Sequence, residues 1–196
     1  MTKLTIGVLS LQGAFIEHIL MFERIGVRAI EVKLPHQLEQ IGGLVIPGGE
    51  STTLMKLMDS FNLIAPIKKL AMKGLPVWGT CAGMICLSRG AVNPNGAPMQ
   101  TLELMDISVK RNAFGRQVDS FETQLPIAGI QGGPFPAVFI RAPLIENAGS
   151  GVKVLARLPG GEIVTAVQGK LLATSFHPEL TGDDRLHRYF ADTAGN

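Results

Sequence analysis

The chain has 196 residues, 46% hydrophobic and 17% charged, a balance that excludes a disordered or low-complexity protein and fits one packed domain over 1–196. A formal net charge of +2, 6% aromatic residues and no long run of Lys and Arg exclude a basic nucleic-acid binder and a base-stacking platform. No apolar stretch reaches membrane-spanning length and the first residues run straight into a strand pattern, so a cytoplasmic protein without a signal peptide is expected.

The first half alternates strands and helices. Residues 4–9 are an apolar, β-branched run. Residues 15–25 carry helical spacing through Phe15, Ile19, Phe22 and Ile25, which Gly26 stops. Strands follow at 27–32 and 44–46, helices at 51–58 and 63–72, a fourth strand at 76–78 and a helix at 82–88. Short apolar strands alternating with helices predict a parallel sheet covered on both faces. The second half reads as strands at 104–109, 120–125, 137–140, 152–156, 162–167 and 170–175. Turn signals at Gly160-Gly161 and Gln168-Gly169 make the last three a meander, and a helix over 183–193 closes the chain.

Ligands of open parallel sheets bind at the carboxyl ends of the strands. Those ends carry Gln12-Gly13, then "PGGES" (47–51), then "GTCAG" (79–83), and finally "SFHPEL" (175–180). A strand–Gly–x–Cys–x–Gly–helix turn is a nucleophile elbow with Cys81 in place of serine. The helix N-terminus behind it favours a thiolate, and the N–H of Ala82 is placed to meet an oxyanion. Cys86, inside "MICL", reads as a buried inert thiol. The two cysteines lie on one predicted helix and point to different sides, so neither a disulfide nor a metal clip is expected. A thiol nucleophile needs a base and the base an orienter. In an extended segment residues i and i+2 point the same way, so Glu179 is expected to hold His177 toward Cys81. His18 and His187 lie in helical patterns and His36 in a loop, which reads as solvated faces or caps. Gly48-Gly49 offers a second oxyanion donor, and the amides of Glu50 and Ser51 open a helix suited to a carboxylate.

Together "PGGES", "GTCAGM" and "SFHPEL" resemble the class I glutamine amidotransferases, whose glutaminase domains use a Cys-His-Glu triad. Further stretches, "IGVLSLQGAFIEH" (6–18), "VKRNAFGRQVDSFE" (109–122) and "VFIRAP" (138–143), make the chain similar to the glutaminase subunits of pyridoxal 5'-phosphate synthases, over nearly its whole length. The resemblance implies a three-layer, flavodoxin-like, mostly parallel sheet with helices on both faces. It implies Cys81 as nucleophile, His177 as base and Glu179 as orienter, with a thioester intermediate. Gly49, Glu50, Ser51, Arg111, Ile140 and Arg141 would bind L-glutamine, Gly48, Gly49 and Ala82 would form the oxyanion hole, and Gln12 would lie near the site and the partner interface. A guanidinium also matches a carboxylate on physical grounds.

The implied partner is the synthase subunit, with pyridoxal phosphate the product of the complex; neither an organic cofactor nor a metal is implied. Because a Gly-Gly peptide flips at low steric cost, the oxyanion hole of the free chain is expected to be misformed. Three other readings stand beside this one. They are the glutaminase subunit of another synthase, such as that of imidazole glycerol phosphate, a γ-glutamyl peptide hydrolase, and a non-catalytic flavodoxin-like protein with a redox cysteine.

Overall fold

The apolar runs of the first half form the parallel part of one mixed sheet. The computed structural model of the chain describes residues 4–92, 96–111 and 120–195. Strands β1 (Thr5–Leu9), β2 (Arg28–Val32), β3 (Gly43–Ile46) and β4 (Val77–Thr80) alternate with helices α1 (Phe15–Arg24), α2 (Ser51–Ser60) and α3 (Ile64–Met72). Helix α4 (Ala82–Leu87) follows β4, and β5 (Ser88–Ala91) and β6 (Met105–Lys110) follow α4. Then come the hairpin β7 (Ser120–Leu125) and β8 (Phe135–Ile140), the strands β9 (Leu144–Ala148), β10 (Lys153–Arg157), β11 (Ile163–Gln168) and β12 (Leu171–Thr174), and helix α5 (Arg185–Gly195).

The strand order is β2-β1-β3-β4-β12-β11-β9-β6-β5, with β10 on β11 and β7-β8 as a separate ribbon. From β2 to β12 every pairing is parallel; β12-β11, β11-β9 and β9-β6 are antiparallel. The expected α/β layering is therefore present in its mostly parallel form, and the predicted meander is β10-β11-β12. Its last strand inserts beside β4 rather than ending the sheet, which is what brings the C-terminal residues to the site.

Side-chain alternation divides the core into two layers. Leu44, Ile46, Val77 and Ala173 pack with α2, α3 and α4 through Leu54, Met58, Ile67 and Met84. Ile6, Val8, Val45, Trp78 and Leu172 face the other way, onto Phe22 of α1, Phe190 of α5 and Phe135 and Phe139 of the hairpin. Two strands escape the sequence reading, β5 and β9. Residues 112–119 of the stretch 109–122 lie outside the described residues. No helix among the described residues is long and apolar enough to cross a membrane.

Candidate active site

Strand register assembles the site. In the adjacent parallel strands β4 and β12, Thr80 is level with Thr174, so the residues after each strand leave side by side. Cys81 N–H donates to Thr174 O (2.8 Å), Trp78 Nε1–H donates to Thr174 Oγ1 (3.2 Å), and His177 N–H donates to Val138 O of the hairpin (2.8 Å).

Cys81 has φ 49° and ψ −106°, left-handed backbone that a non-glycine residue adopts only under strain. The neighbouring glycines make that turn possible. A Cβ on Gly79 would run into the Gly83 carbonyl oxygen, and one on Gly83 into the Ile46 carbonyl oxygen of β3. The elbow is thus packed against two backbones where only hydrogen fits. Its thiol points toward Ile140 O at 4.0 Å, while Cys86 points the other way, toward Ser51 O. Burial, reinforced by the charge of Glu50, pushes the Cys86 thiol up to about 12, so it stays protonated and inert.

His177 Nδ1 lies 2.7 Å from Glu179 Oε1. The contact arises differently from the expectation. His177 precedes a 3₁₀ turn, Pro178–Leu180, so Glu179 reaches back from a tightened turn rather than along an extended segment. Burial alone lowers the imidazole pKa. Hydrogen bonds to Cys81 and Glu179 and their negative charges overcome that and raise it to about 10.

Cys81 and His177 open onto a cleft of about 330 Å³ that is also lined by Gly49, Glu50, Ser51, Ala82, Arg111, Ile140 and Arg141. Ile85 and Pro143 complete the wall; sequence reasoning missed both, although Ile85 stands one helical turn beyond Cys81. Gly48 lies at the floor, where a Cβ would overlap His177 Cε1 and come within 3.4 Å of Cys81 Cβ. Gln12 sits at the rim, its Nε2 donating to Glu50 O (3.2 Å), and Glu179 lies behind the imidazole, 5% exposed. Every residue expected at the site thus lines this cleft or stands directly against a residue that does.

Glu50 caps the N-terminus of α2, its carboxylate accepting from Thr52 N–H (3.1 Å) and Thr53 N–H (2.7 Å). It also meets Arg111 Nη2 at 2.9 Å. Burial raises the Glu50 pKa, but the Thr53 and Thr52 donors outweigh it and hold the group below the ordinary value. His18 and His187 are not solvated. Both are fully buried behind Glu179, because they share the apolar stripes of α1 and α5 with Phe22 and with Phe190. Among the described residues no group of three or more His, Cys, Asp or Glu side chains is arranged to hold a metal ion.

An elbow cysteine, an oriented histidine and two arginines thus share one cleft. Comparison with known proteins gives the family. A "Pyridoxal 5'-phosphate synthase subunit PdxT" of Dehalococcoides mccartyi (strain ATCC BAA-2266 / KCTC 15142 / 195) is 58% identical over 189 residues, 96% of each chain. A protein of the same name from Herpetosiphon aurantiacus is 56% identical over 187 residues, 95% of this chain and 98% of its own. A solved structure, "Crystal structure of glutamine amidotransferase", superposes with a TM-score of 0.90 at 46% identity over 97% of this chain and 99% of that one. Residues 8–195 match the sequence pattern of the SNO glutamine amidotransferase family, and with relatives this similar over this much of its length the chain belongs to that family.

Proposed function

We propose that the whole chain acts as one glutaminase domain, hydrolysing L-glutamine to L-glutamate and ammonia for a pyridoxal 5'-phosphate synthase subunit, in the biosynthesis of vitamin B6. The observation that carries the catalytic assignment is the elbow itself: Cys81 at φ 49°, beside an imidazole held 2.7 Å from a buried carboxylate, at the floor of an arginine-lined cleft.

In this reading the Cys81 thiolate attacks the side-chain amide carbon, forming a C–S bond and an oxyanion. The N–H of Ala82 and the Gly48-Gly49 turn supply the oxyanion donors. The His177 imidazolium passes its proton to the amide nitrogen, the C–N bond breaks, and ammonia leaves a thioester on Cys81. Water then attacks the thioester and gives a proton back to His177. The C–S bond breaks and glutamate departs, restoring the ion pair. Glu179 keeps Nδ1–H engaged so that Nε2 faces the sulfur. Gly49, Glu50, Ser51 and Ile140 shape the glutamine pocket, and Arg111 and Arg141 meet the α-carboxylate. Gln12, at the rim, lies toward the docking face of the synthase subunit. Two free cysteines suit a reducing cytoplasm.

The test is glutamate release from glutamine, measured alone and with a pyridoxal phosphate synthase subunit. Release that rises steeply with the partner supports the reading. Equal release with and without it points to another ammonia acceptor, and none in either case removes the catalytic assignment.

A further inference from the structure

Behind the triad lies a buried polar chain that the reaction scheme does not use. Glu179 has two carboxylate oxygens and no side-chain exposure. Oε1 is engaged by His177; Oε2 makes no hydrogen bond among the described residues, although His18 Nε2 stands 3.3 Å away. The same Nε2 lies 3.2 Å from Thr80 Oγ1, one residue before the nucleophile. On the far side of the ring, His18 Nδ1 is 3.0 Å from His187 Nε2, and His187 Nδ1 is buried with no hydrogen-bond partner among the described residues.

Only one direction of protons suits these contacts. A carboxylate oxygen is an acceptor only, so a bare Nε2 on His18, even one accepting from Thr80 Oγ1–H, would set its lone pair against Oε2 and leave a buried oxygen facing no positive edge. With the proton on Nε2, His18 presents N–H to the carboxylate and Thr80, and its bare Nδ1 accepts from His187 Nε2–H. The one group then left over is an imidazole lone pair on His187. The reverse direction strands a buried N–H there, the rarer and costlier orphan.

From this geometry we infer that His18, its tautomer fixed by His187, is a positioning residue for Glu179: its Nε2–H, hydrogen-bonded to Thr80, stands 3.3 Å from Oε2 and steadies by its positive edge the carboxylate that orients His177. The inference rests on the reading of Glu179 as the orienter of a glutaminase triad.

Both rings must stay neutral for this to work. Burial, then the charges of His187 and His177, holds His18 well below the ordinary histidine value. Burial lowers His187 to about 3 against a small upward pull from Asp184. The remaining neighbours are uncharged: Thr80 on β4, Trp78, whose ring meets both imidazoles edge-on, and Phe22 on α1, edge-on to His187. Glu179 is the single carboxylate His18 touches at ion-pair distance among the described residues.

The first test is nitrogen-15 NMR of the histidine-labelled protein, which reads tautomers directly. His18 protonated on Nε2 is the expected result, and His18 protonated on Nδ1 would overturn the inference. The second compares His18→Leu, which removes the donor, with His18→Gln, which keeps an N–H of similar reach, in the complex with the synthase subunit. His18→Leu is expected to lose on the order of 10-fold in kcat at unchanged KM, and His18→Gln to recover most of it. The pH window over which His177 stays protonated beside Cys81, read by iodoacetamide alkylation, is expected to narrow by about one pH unit in His18→Leu.

A residue that merely fills space would lower activity with the folded fraction and leave that window in place, which would sink the inference. If His18→Leu does not fold, His187→Leu, which frees the tautomer without touching Glu179, is read by the same window. Glutamine turnover by the unaltered complex, abolished by Cys81→Ala, is measured alongside. Its absence defeats the triad reading, whereas its presence with an unmoved His18→Leu window defeats only the role given to His18.

Discussion

The two halves of the sheet contribute different things to the cleft. The parallel half, β2-β1-β3-β4-β12, delivers Gln12, the Gly48-Gly49 turn, Cys81, His177 and Glu179, each within a few residues of a strand end. The antiparallel half and its ribbon deliver Arg111 after β6 and Ile140 and Arg141 at the end of β8. The proposed triad is held by buried backbone, with Cys81, His177 and Glu179 at most 8% exposed. Arg141 is exposed, and Arg111 is tied to an exposed carboxylate. Geometry that must be accurate to fractions of an ångström comes from register between fully buried strands, and charge recognition from long side chains that reach in from the edge.

That division is open to attack by mutation. Cys81→Ala, on the parallel half, should reduce glutamine turnover by on the order of 10⁴-fold or more while leaving the thermal unfolding midpoint near that of the parent, since it removes the proposed nucleophile and little that the fold depends on. Arg111→Met, on the other half, should act in KM instead. Losing a charge-assisted contact to the substrate carboxylate is worth about 1.5–3 kcal/mol, or roughly a 10- to 100-fold rise in KM with kcat little changed. A fall in kcat as large as that of the cysteine variant would show that Arg111 also holds the reacting atoms, and the division between halves would fail. A parallel loss of helix content would trace the effect to Glu50, which caps α2 while pairing with Arg111.

The halves also differ in how far the sequence exposes them. The strands of the parallel half, such as Thr5–Leu9 and Gly43–Ile46, are short and mostly apolar, and the segments just after them carry the reactive side chains, so the fold class and the members of the proposed triad are both legible. Strand β9, "LIENA", has one fully buried residue and pairs through an irregular register with β6, so it shows neither alternation nor an apolar run. Strand β5, "SRGA", is made by its neighbours rather than by propensity. His18 and His187 are a different kind of miss. Their spacing to Phe22, and to Phe190 and Ala191, is that of a buried helical stripe, so the signal was present. It was outweighed by the general rarity of buried histidines, and only the tertiary contact of α1 with α5 shows that the two complete one polar chain.

The smallest expected effect follows from where the histidines lie. The chain has four, at 18, 36, 177 and 187, so none lies between residues 37 and 176, the span that holds the antiparallel strands. Protonation between pH 6.5 and 5 is therefore an event of the parallel side. His187 titrates near 3 when folded against about 6.5 when unfolded, and His18 is shifted the same way. Folding thus excludes protons that the unfolded chain binds below 6.5. Stability is full above that value, falls with falling pH, and levels off near 3, at up to about 1.4 kcal/mol per pH unit for each ring. His177 has the opposite sign. With a folded value near 10 its contribution is complete below 6.5 and is lost only as pH rises toward 10, so it leaves the acid limb unchanged. Glu50, Asp183 and Asp184, all held below their ordinary values, lose their contributions only as pH falls below about 4.5. Denaturant unfolding at pH 7, 6 and 5 should therefore show a decline that His187→Phe makes shallower by about half. A decline of equal slope in that variant would mean that the acid limb comes from outside the buried pair, and the parallel side would lose its claim to it.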